Sequence, residues 1–373
     1  MKMNIHFGLK ATLGVLLALA VLSACGSPTT SSSAISSVQS SANGAETASA
    51  AAATSHAAGA ASDAPAGNAT VVRLGYVPVM IYAPLFVAQE RGYFAAEGLN
   101  VELIPIQGGS ESVVQLAAGN FDVAVGGAGA GFFNAAARGV KFTVVAPMHS
   151  ERPPLTSPLV ISAKRKPEIT SVADLKGKKV AINATGAATE YWLAQALAKA
   201  NLTLNDIEVQ TVPFRDVPAA LENGSIDAAI LGEPLTTINE DNGVVAVLSE
   251  DFISDFYSTY VYMGEPLLAQ QPDAARAFLR AYLRATRDLQ GDYMTPEIAQ
   301  IIEKYTKVPA DVTLRSSPAQ YEPNGRIPLE HLNTLQDYFM ERGLLEYDQK
   351  LDISSFVNTQ LASEVAAELD AKQ

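Results

Sequence analysis

Cysteine is almost absent from this chain of 373 residues, which contains a single one, Cys25. A disulfide needs two thiols, and zinc sites built on cysteine also need at least two. The sequence therefore excludes an internal disulfide framework and a cysteine-based zinc site. Histidine is scarce as well: of the four in the chain, only His149 and His331 follow residue 71.

Basic residues are also few. The chain has 26 Lys and Arg against 39 Asp and Glu, for a formal net charge of −13. Proteins that bind nucleic acid neutralise phosphates with clustered Lys and Arg. The charge balance therefore argues against a nucleic-acid partner.

The first 25 residues have the pattern of an export signal. Lys2 and Lys10 supply positive charge, and residues 11–22 form an apolar stretch that is short for a membrane span. The stretch leads into Leu-Ser-Ala-Cys-Gly at residues 22–26, which resembles the lipobox of bacterial lipoproteins. We therefore predict lipidation at Cys25 and an extracytoplasmic protein anchored to the cell membrane. The alternative is an ordinary secretory signal in which the cysteine is incidental.

Residues 26–70 are almost entirely Ser, Ala, Thr and Gly, without Phe, Tyr or Trp. Such a composition cannot bury enough surface to offset the entropy of ordering, so we predict a disordered tether. A flexible coil of this length has a root-mean-square reach of about 35–40 Å.

From residue 71 the chain alternates short β-branched runs with helical patterns, which predicts βαβ units and a mostly parallel sheet. A strand is expected over residues 71–76 and a helix over 84–96. An internal echo then relates residues 116–127 to 221–232: Leu, Gly, Asp, Ala and Gly recur at offsets of zero, three, six, eight and eleven. The echo predicts two similar α/β lobes, each with a glycine at the carboxyl end of an equivalent strand. Ligands of open α/β sheets bind beyond such strand ends, so a cleft between the lobes is the expected binding site.

Residues 82–99, with Tyr82, Pro84, Gly92 and Gly98, carry a recognisable pattern. This segment resembles the opening of solute-binding proteins of ABC importers in the nitrate/sulfonate/taurine and thiamine-pyrimidine superfamily. The match continues through residues 108–110, 116–122, 175–182 and 232–234. The resemblance implies a type II periplasmic-binding-protein fold, with two α/β lobes, a hinge and an interlobe ligand cleft. Lobe one is expected over 71–155 plus 265–373, and lobe two over 156–264.

The resemblance also implies which residues contact the ligand. Those of lobe one are Tyr82, Gly109, Ser110, Gly127 and Ala128. Those of lobe two are Thr185, Thr189, Trp192, Asp216 and Glu233. Tyr257 and Tyr260 are further candidates, because they are aromatic residues at or near a predicted rim of the cleft. Tyr82 and Trp192 are the leading candidates. The expected partners are a small-molecule ligand and a permease in the cytoplasmic membrane, with no metal or cofactor.

Aromatic residues are prominent among these candidates, whereas no Lys or Arg lies within the strand-end motifs; the nearest are Arg152 and Arg215. Aromatic faces stack on flat heterocycles, and carboxylates and hydroxyls can bind ring edges. We therefore expect a flat, largely neutral ligand such as riboflavin or a thiamine-type pyrimidine. The alternative is an alkanesulfonate, taurine or nitrate bound at a helix N-terminus near residues 185–188.

An enzyme is a further alternative, because one branch of the same superfamily makes the thiamine pyrimidine with its own histidine, pyridoxal phosphate and a Cys-rich motif. Here the only cysteine lies in the lipobox-like motif, and His149 is an isolated candidate. No Ser-His-Asp order, carboxylate pair or phosphate loop stands out. We therefore expect a binding protein and not an enzyme.

Overall fold

The computed structural model describes residues 69–106 and 110–371, with no side-chain description for residues 110 and 111. The predicted signal segment, the lipidation site at Cys25, nearly all of the tether and the candidate Gly109 lie outside the described residues. Among those described, no helix is long and apolar enough to cross a membrane.

Within the described residues, ten strands form two five-stranded sheets, in the orders β2-β1-β3-β10-β4 and β7-β6-β8-β5-β9. The strands are β1 (Thr70–Tyr76), β2 (Leu99–Pro105), β3 (Val123–Gly127), β4 (Phe142–Glu151), β5 (Leu159–Ser162), β6 (Lys179–Ile182), β7 (Glu208–Thr211), β8 (Ala228–Ile230), β9 (Val245–Ser249) and β10 (Phe256–Gly264). In each sheet four strands run in the same direction, and the fifth, β10 or β5, pairs antiparallel with both of its neighbours. The predicted α/β class and the two-lobe fold are therefore confirmed.

Thirteen α-helices accompany these strands in the described residues. They are α1 (Ala83–Glu90), α2 (Tyr93–Ala96), α3 (Ser110–Ala117), α4 (Ala130–Ala137), α5 (Ala188–Ala198), α6 (Val217–Glu222), α7 (Leu235–Asp241), α8 (Glu265–Gln270), α9 (Pro272–Asp288), α10 (Pro296–Thr306), α11 (Ala310–Thr313), α12 (Leu329–Glu341) and α13 (Thr359–Asp370). Two of them begin after a residue whose side chain caps the N-terminus of the helix. Thr295 accepts a hydrogen bond from the Ile298 N–H ahead of α10, and Asn358 caps α13 in the same way.

The internal echo corresponds to equivalent elements of the two sheets. Gly119 follows α3 and precedes β3, and Gly224 follows α6 and precedes β8. Both glycines have positive φ, +73° and +76°, which ends each helix in the left-handed region that favours glycine. Strands β3 and β8 are each the central strand of a sheet. The two lobes therefore share one folding pattern, as the repeat predicts.

The boundary between the lobes differs from the prediction at one crossover. Strand β10 pairs with β3 and β4 in the first sheet, so residues 256–264 belong to the first lobe. Lobe two therefore does not extend to residue 264; the chain returns to the first lobe between β9 and β10. A strand's own residues do not specify which sheet it joins, and this is why the sequence misplaced it.

The first lobe has an apolar core on each face of its sheet. One face packs against α1 and α9, where Phe278, Leu279 and Tyr282 are completely buried. The other packs against α4 and α12, where Phe133 and Phe339 are also buried. Burying each of these side chains contributes about 1.5–3 kcal/mol. The C-terminal helices are therefore part of the first lobe's core, and they bring α12 to the junction with the second lobe.

Candidate ligand-binding cleft

The two lobes meet where the parallel strands end. Strand β3 leads into the N-terminus of α4, and β6 leads into the N-terminus of α5. The N–H of Ala130 in the first lobe donates to the carbonyl of Gly186 in the second lobe at 2.8 Å. A Cβ atom added at Gly129 would lie 2.5 Å from that carbonyl oxygen. The contact between the lobes therefore needs glycine at residue 129.

A buried carboxylate extends this contact. Glu190 of α5 is 1% exposed, and its side chain accepts hydrogen bonds from the Gly186 N–H and from Arg342 Nε, both at 2.8 Å. The Tyr338 hydroxyl donates to the Glu190 carbonyl at 3.2 Å. Because Tyr338 and Arg342 lie on and just after α12, Glu190 joins the two lobes on one side of the cleft.

A second polar contact joins the lobes through α7. The buried Glu233 carboxylate accepts from the Thr237 N–H at 3.1 Å and from the Thr237 hydroxyl. The hydroxyl of Ser316, in the segment after α11, donates to Thr237 Oγ1 at 3.2 Å. Burial raises the pKa of Glu233 above its ordinary value, against the lowering effect of these donors. Glu233 therefore holds Thr237 in place at the junction between the lobes.

The first crossover between the lobes holds a buried acid and histidine. Glu151 is 1% exposed and accepts from the N–H of Thr156 at 2.9 Å and from its hydroxyl at 2.8 Å. Its Oε1 lies 3.6 Å from Nε2 of His149, which is itself 4% exposed. Burial alone would raise the pKa of Glu151, but His149 and Thr156 together lower it below its ordinary value. The crossover is therefore fixed by an ionised carboxylate.

The second crossover is covered by an aromatic cluster. His331 of α12 stacks on Phe256, with ring centroids 4.5 Å apart, and lies 6.1 Å from the Tyr257 ring. Its Nδ1 accepts a hydrogen bond from the Tyr257 N–H at 3.1 Å. Burial lowers the pKa of His331. All three side chains are half-buried, so this cluster keeps partly accessible ring surface beside the junction.

Cations near the strand ends are paired. In the strand-end loops that the structure describes, Arg152 bonds Asp255 and Arg215 lies 3.8 Å from Asp216. The described residues also contain no group of three or more His, Cys, Asp or Glu arranged to hold a metal ion. This part of the cleft therefore offers hydroxyl, carboxylate and aromatic groups to a ligand.

A family model described as the NMT1-like family matches residues 65–303. The chain belongs to the NMT1-like family. The predicted resemblance to solute-binding proteins of ABC importers is thereby confirmed.

Known proteins similar to this NMT1-like chain are named for different ligands or activities. The riboflavin-binding protein RibY of Chloroflexus aurantiacus is 28% identical over 74% of this chain and 73% of its own length. A 4-amino-5-hydroxymethyl-2-methylpyrimidine phosphate synthase of Aspergillus parasiticus is 27% identical over 60% of this chain and 66% of its own length. The crystal structure of the nitrate-binding protein NrtA from Synechocystis PCC 6803 superposes with a TM-score of 0.70 at 19% identity, over 81% of this chain and 89% of the other. The last likeness establishes the fold alone.

Three aromatic residues predicted as ligand contacts are buried in the cores of this NMT1-like protein. Tyr82 is 3% exposed and donates to the Val125 carbonyl at 3.4 Å. Tyr260 is fully buried, and Trp192 is 2% exposed and packs edge-on against Phe256. Protein atoms cover all three rings, so the geometry does not support them as stacking surfaces for a ligand. Each of these rings has a large apolar area, and burying that area in a core stabilises the fold.

The other predicted positions are divided between the junction and the surface. Those at or beside the junction are Gly127, Ala128, Thr189, Glu233 and Tyr257, and those exposed at the strand ends are Thr185 and Asp216. Ser110 begins α3. Gly127 does not itself need to be glycine, because a Cβ there would meet only the Ser258 carbonyl at 3.8 Å. The close approach belongs to Gly129, two residues later.

Sequence reasoning missed Glu190, Tyr338, Arg342 and His331. Glu190 lies three positions into the predicted helix, where an acidic residue often binds the helix's own N-terminus, so its position was a usable signal. The other three lie on or just after α12, more than 130 residues further along. Nothing local in that helix indicates that it meets the second lobe.

Proposed function

We propose that this protein is the extracytoplasmic solute-binding component of an ABC importer, and that it captures a flat heterocyclic vitamin or precursor between its lobes. Riboflavin and a thiamine-type pyrimidine are the candidate ligands. The observation that carries the ligand class is the chemistry of the described cleft margin. It combines the half-buried ring cluster around His331 with hydroxyls and carboxylates, and its arginines are paired with aspartates.

Physical chemistry favours a largely uncharged ligand at such a margin. A sulfonate or nitrate brings negative charge and only acceptor oxygens, so it needs unpaired donors or cations. A heterocycle can instead stack on aromatic faces and exchange hydrogen bonds with hydroxyls and carboxylates. The relative named as a riboflavin-binding protein supports the same class.

Anion binding remains the second candidate, because a solved structure with this fold is named as a nitrate-binding protein. A helix N-terminus could provide the donors for an anion. At α5, however, the Gly186 N–H already donates to Glu190.

Membrane attachment completes the proposal. Lipidation at Cys25 would anchor the protein, and the Ser- and Ala-rich segment over residues 26–70 would let the lobes reach a permease in the cytoplasmic membrane. Mass spectrometry of the protein purified from membranes tests the anchor through a diacylglycerol adduct on Cys25. Replacement of Cys25 by Ser should release the protein from the membrane fraction.

The ligand is tested on full-length protein purified in mild detergent. We expect either a co-purifying flavin absorption band or an increase in Tm with riboflavin or the thiamine pyrimidine. Taurine, ethanesulfonate and nitrate serve as the comparison ligands. A Tm increase with these anions alone would refute the heterocycle proposal, and chemical conversion of a bound heterocycle would show that the protein is an enzyme.

A further inference from the structure

The N-terminus of α5 points to a role for Glu190 beyond holding the lobes together. Helix α5 follows the carboxyl end of β6, and its N-cap residue, Ala187, has no side chain that could cap it. The free N–H groups and the helix dipole make such an end attractive to anions. An anionic ligand would be expected here if the position were open.

Glu190 already supplies an anion to this end of the helix. Its Oε2 accepts from the Gly186 N–H at 2.8 Å, and the side chain is 1% exposed. The Gly186 carbonyl is also engaged, because it accepts from the Ala130 N–H. Both polar groups of the Gly186 backbone are therefore used within the protein.

The first lobe fixes this carboxylate in position. Arg342 Nε donates to Glu190 Oε1 at 2.8 Å, and the Tyr338 hydroxyl lies 3.4 Å from the same oxygen. The bond to Glu190 raises the pKa of Arg342. A buried carboxylate that lost its partner would be strongly unfavourable. The ion pair therefore keeps the negative charge at the helix end while the lobes are in contact.

We propose that Glu190 is a specificity-determining residue: its carboxylate places a fixed negative charge beside the N-terminus of α5 and excludes sulfonate- and nitrate-type solutes from that end of the cleft. A second anion would meet a negative charge and would find the Gly186 N–H and the Nε–H of Arg342 already bonded. A neutral heterocycle meets no such repulsion. We make this assignment on the basis of the proposed function, whose ligand class it explains.

The test compares full-length wild-type protein with Glu190→Gln, which keeps the size of the side chain and removes its charge. Each protein is titrated by calorimetry with ethanesulfonate, nitrate and riboflavin. We expect Glu190→Gln to bind at least one of the two anions at least tenfold more tightly than wild type, because Arg342 no longer has a carboxylate partner. Glu341→Gln is the matched control, since Glu341 is exposed, lies beside Arg342 and should leave all affinities unchanged.

A second variant covers the case in which Glu190→Gln does not fold. Arg342→Lys retains the carboxylate and a cationic partner for it, so it should reject both anions as wild type does; a gain of anion binding in this variant would overturn the assignment. Equal anion affinities in wild type and folded Glu190→Gln would also overturn it. If wild type binds riboflavin at the same time, only the role of Glu190 fails. If wild type binds an anion and not a heterocycle, the proposed ligand class fails as well.

Discussion

Replacement of Gly129 by Ala tests whether the contact between the lobes is part of the ligand-bound state. The new Cβ would lie 2.5 Å from the Gly186 carbonyl oxygen, which belongs to the backbone and cannot rotate away. The lobes must separate locally, and the 2.8 Å bond from the Ala130 N–H is lost. The lost hydrogen bond costs about 0.5–1.5 kcal/mol and the forced contact about 1–3 kcal/mol.

These costs fall on the closed arrangement, since each lobe keeps its own core. If the ligand binds only between closed lobes, the variant should bind about tenfold more weakly or worse, for a loss of about 1.5–4.5 kcal/mol. Calorimetric titration with the ligand found in the Tm screen measures the affinity. Small-angle scattering should show a larger radius of gyration than that of wild type.

Gly131→Ala provides the control in the same helix. Its Cβ would meet nothing within 4 Å, and Ala favours a helix interior over Gly by about 1 kcal/mol. This variant should bind as wild type does. If Gly129→Ala also matches wild type in affinity and in scattering, the contact at Gly186 has no part in ligand binding, and our account of closure is refuted.

Two further predictions concern stability. Trp192→Ala should lower the free energy of unfolding of the second lobe, measured in urea, by about 3–5 kcal/mol because the indole lies in the core. Trp192→Phe should lower it much less. Weaker ligand binding with unchanged stability would contradict the assignment of Trp192 to the core. The lowered pKa of His331 means that the unfolded chain takes up a proton more readily, so stability should fall as the pH drops below about 6.5. Thermal unfolding of wild type and His331→Gln across pH 5–8 should show a shallower dependence in the variant, and identical pH profiles would exclude His331 as a source.

The two-lobe fold could be predicted because its signals are local and repeated. The glycine and aspartate spacing around Gly119 and Gly224 marks the same helix, turn and strand in both lobes. The bounds of one helix were predicted wrongly. The helix expected over residues 84–96 is interrupted, because Gly92, with a φ of +69°, separates α1 from α2. Such a break depends on one backbone angle, which a helical pattern does not reveal.

The candidate site was harder to predict because it depends on contacts between distant parts of the chain. Trp192 has the same sequence signature whether its ring faces a ligand or the core, and only the packing against Phe256 distinguishes the two. Glu190 and Arg342 are 152 residues apart, so no local pattern could pair them. Sequence placed a glycine, Gly127, at the carboxyl end of β3, whereas the side chains that join the lobes became evident only from the folded arrangement.

The return of the chain to the first lobe also sets the order in which the protein can become functional. The second sheet uses residues 159–249 without interruption, so it can form as soon as that stretch is available. The first sheet must wait for β10, its last strand in chain order, and its core must wait for the helices that follow. Nascent chains truncated before α12 therefore lack the surface on which the cleft closes. The contact between the lobes is therefore complete only after α12 has been made.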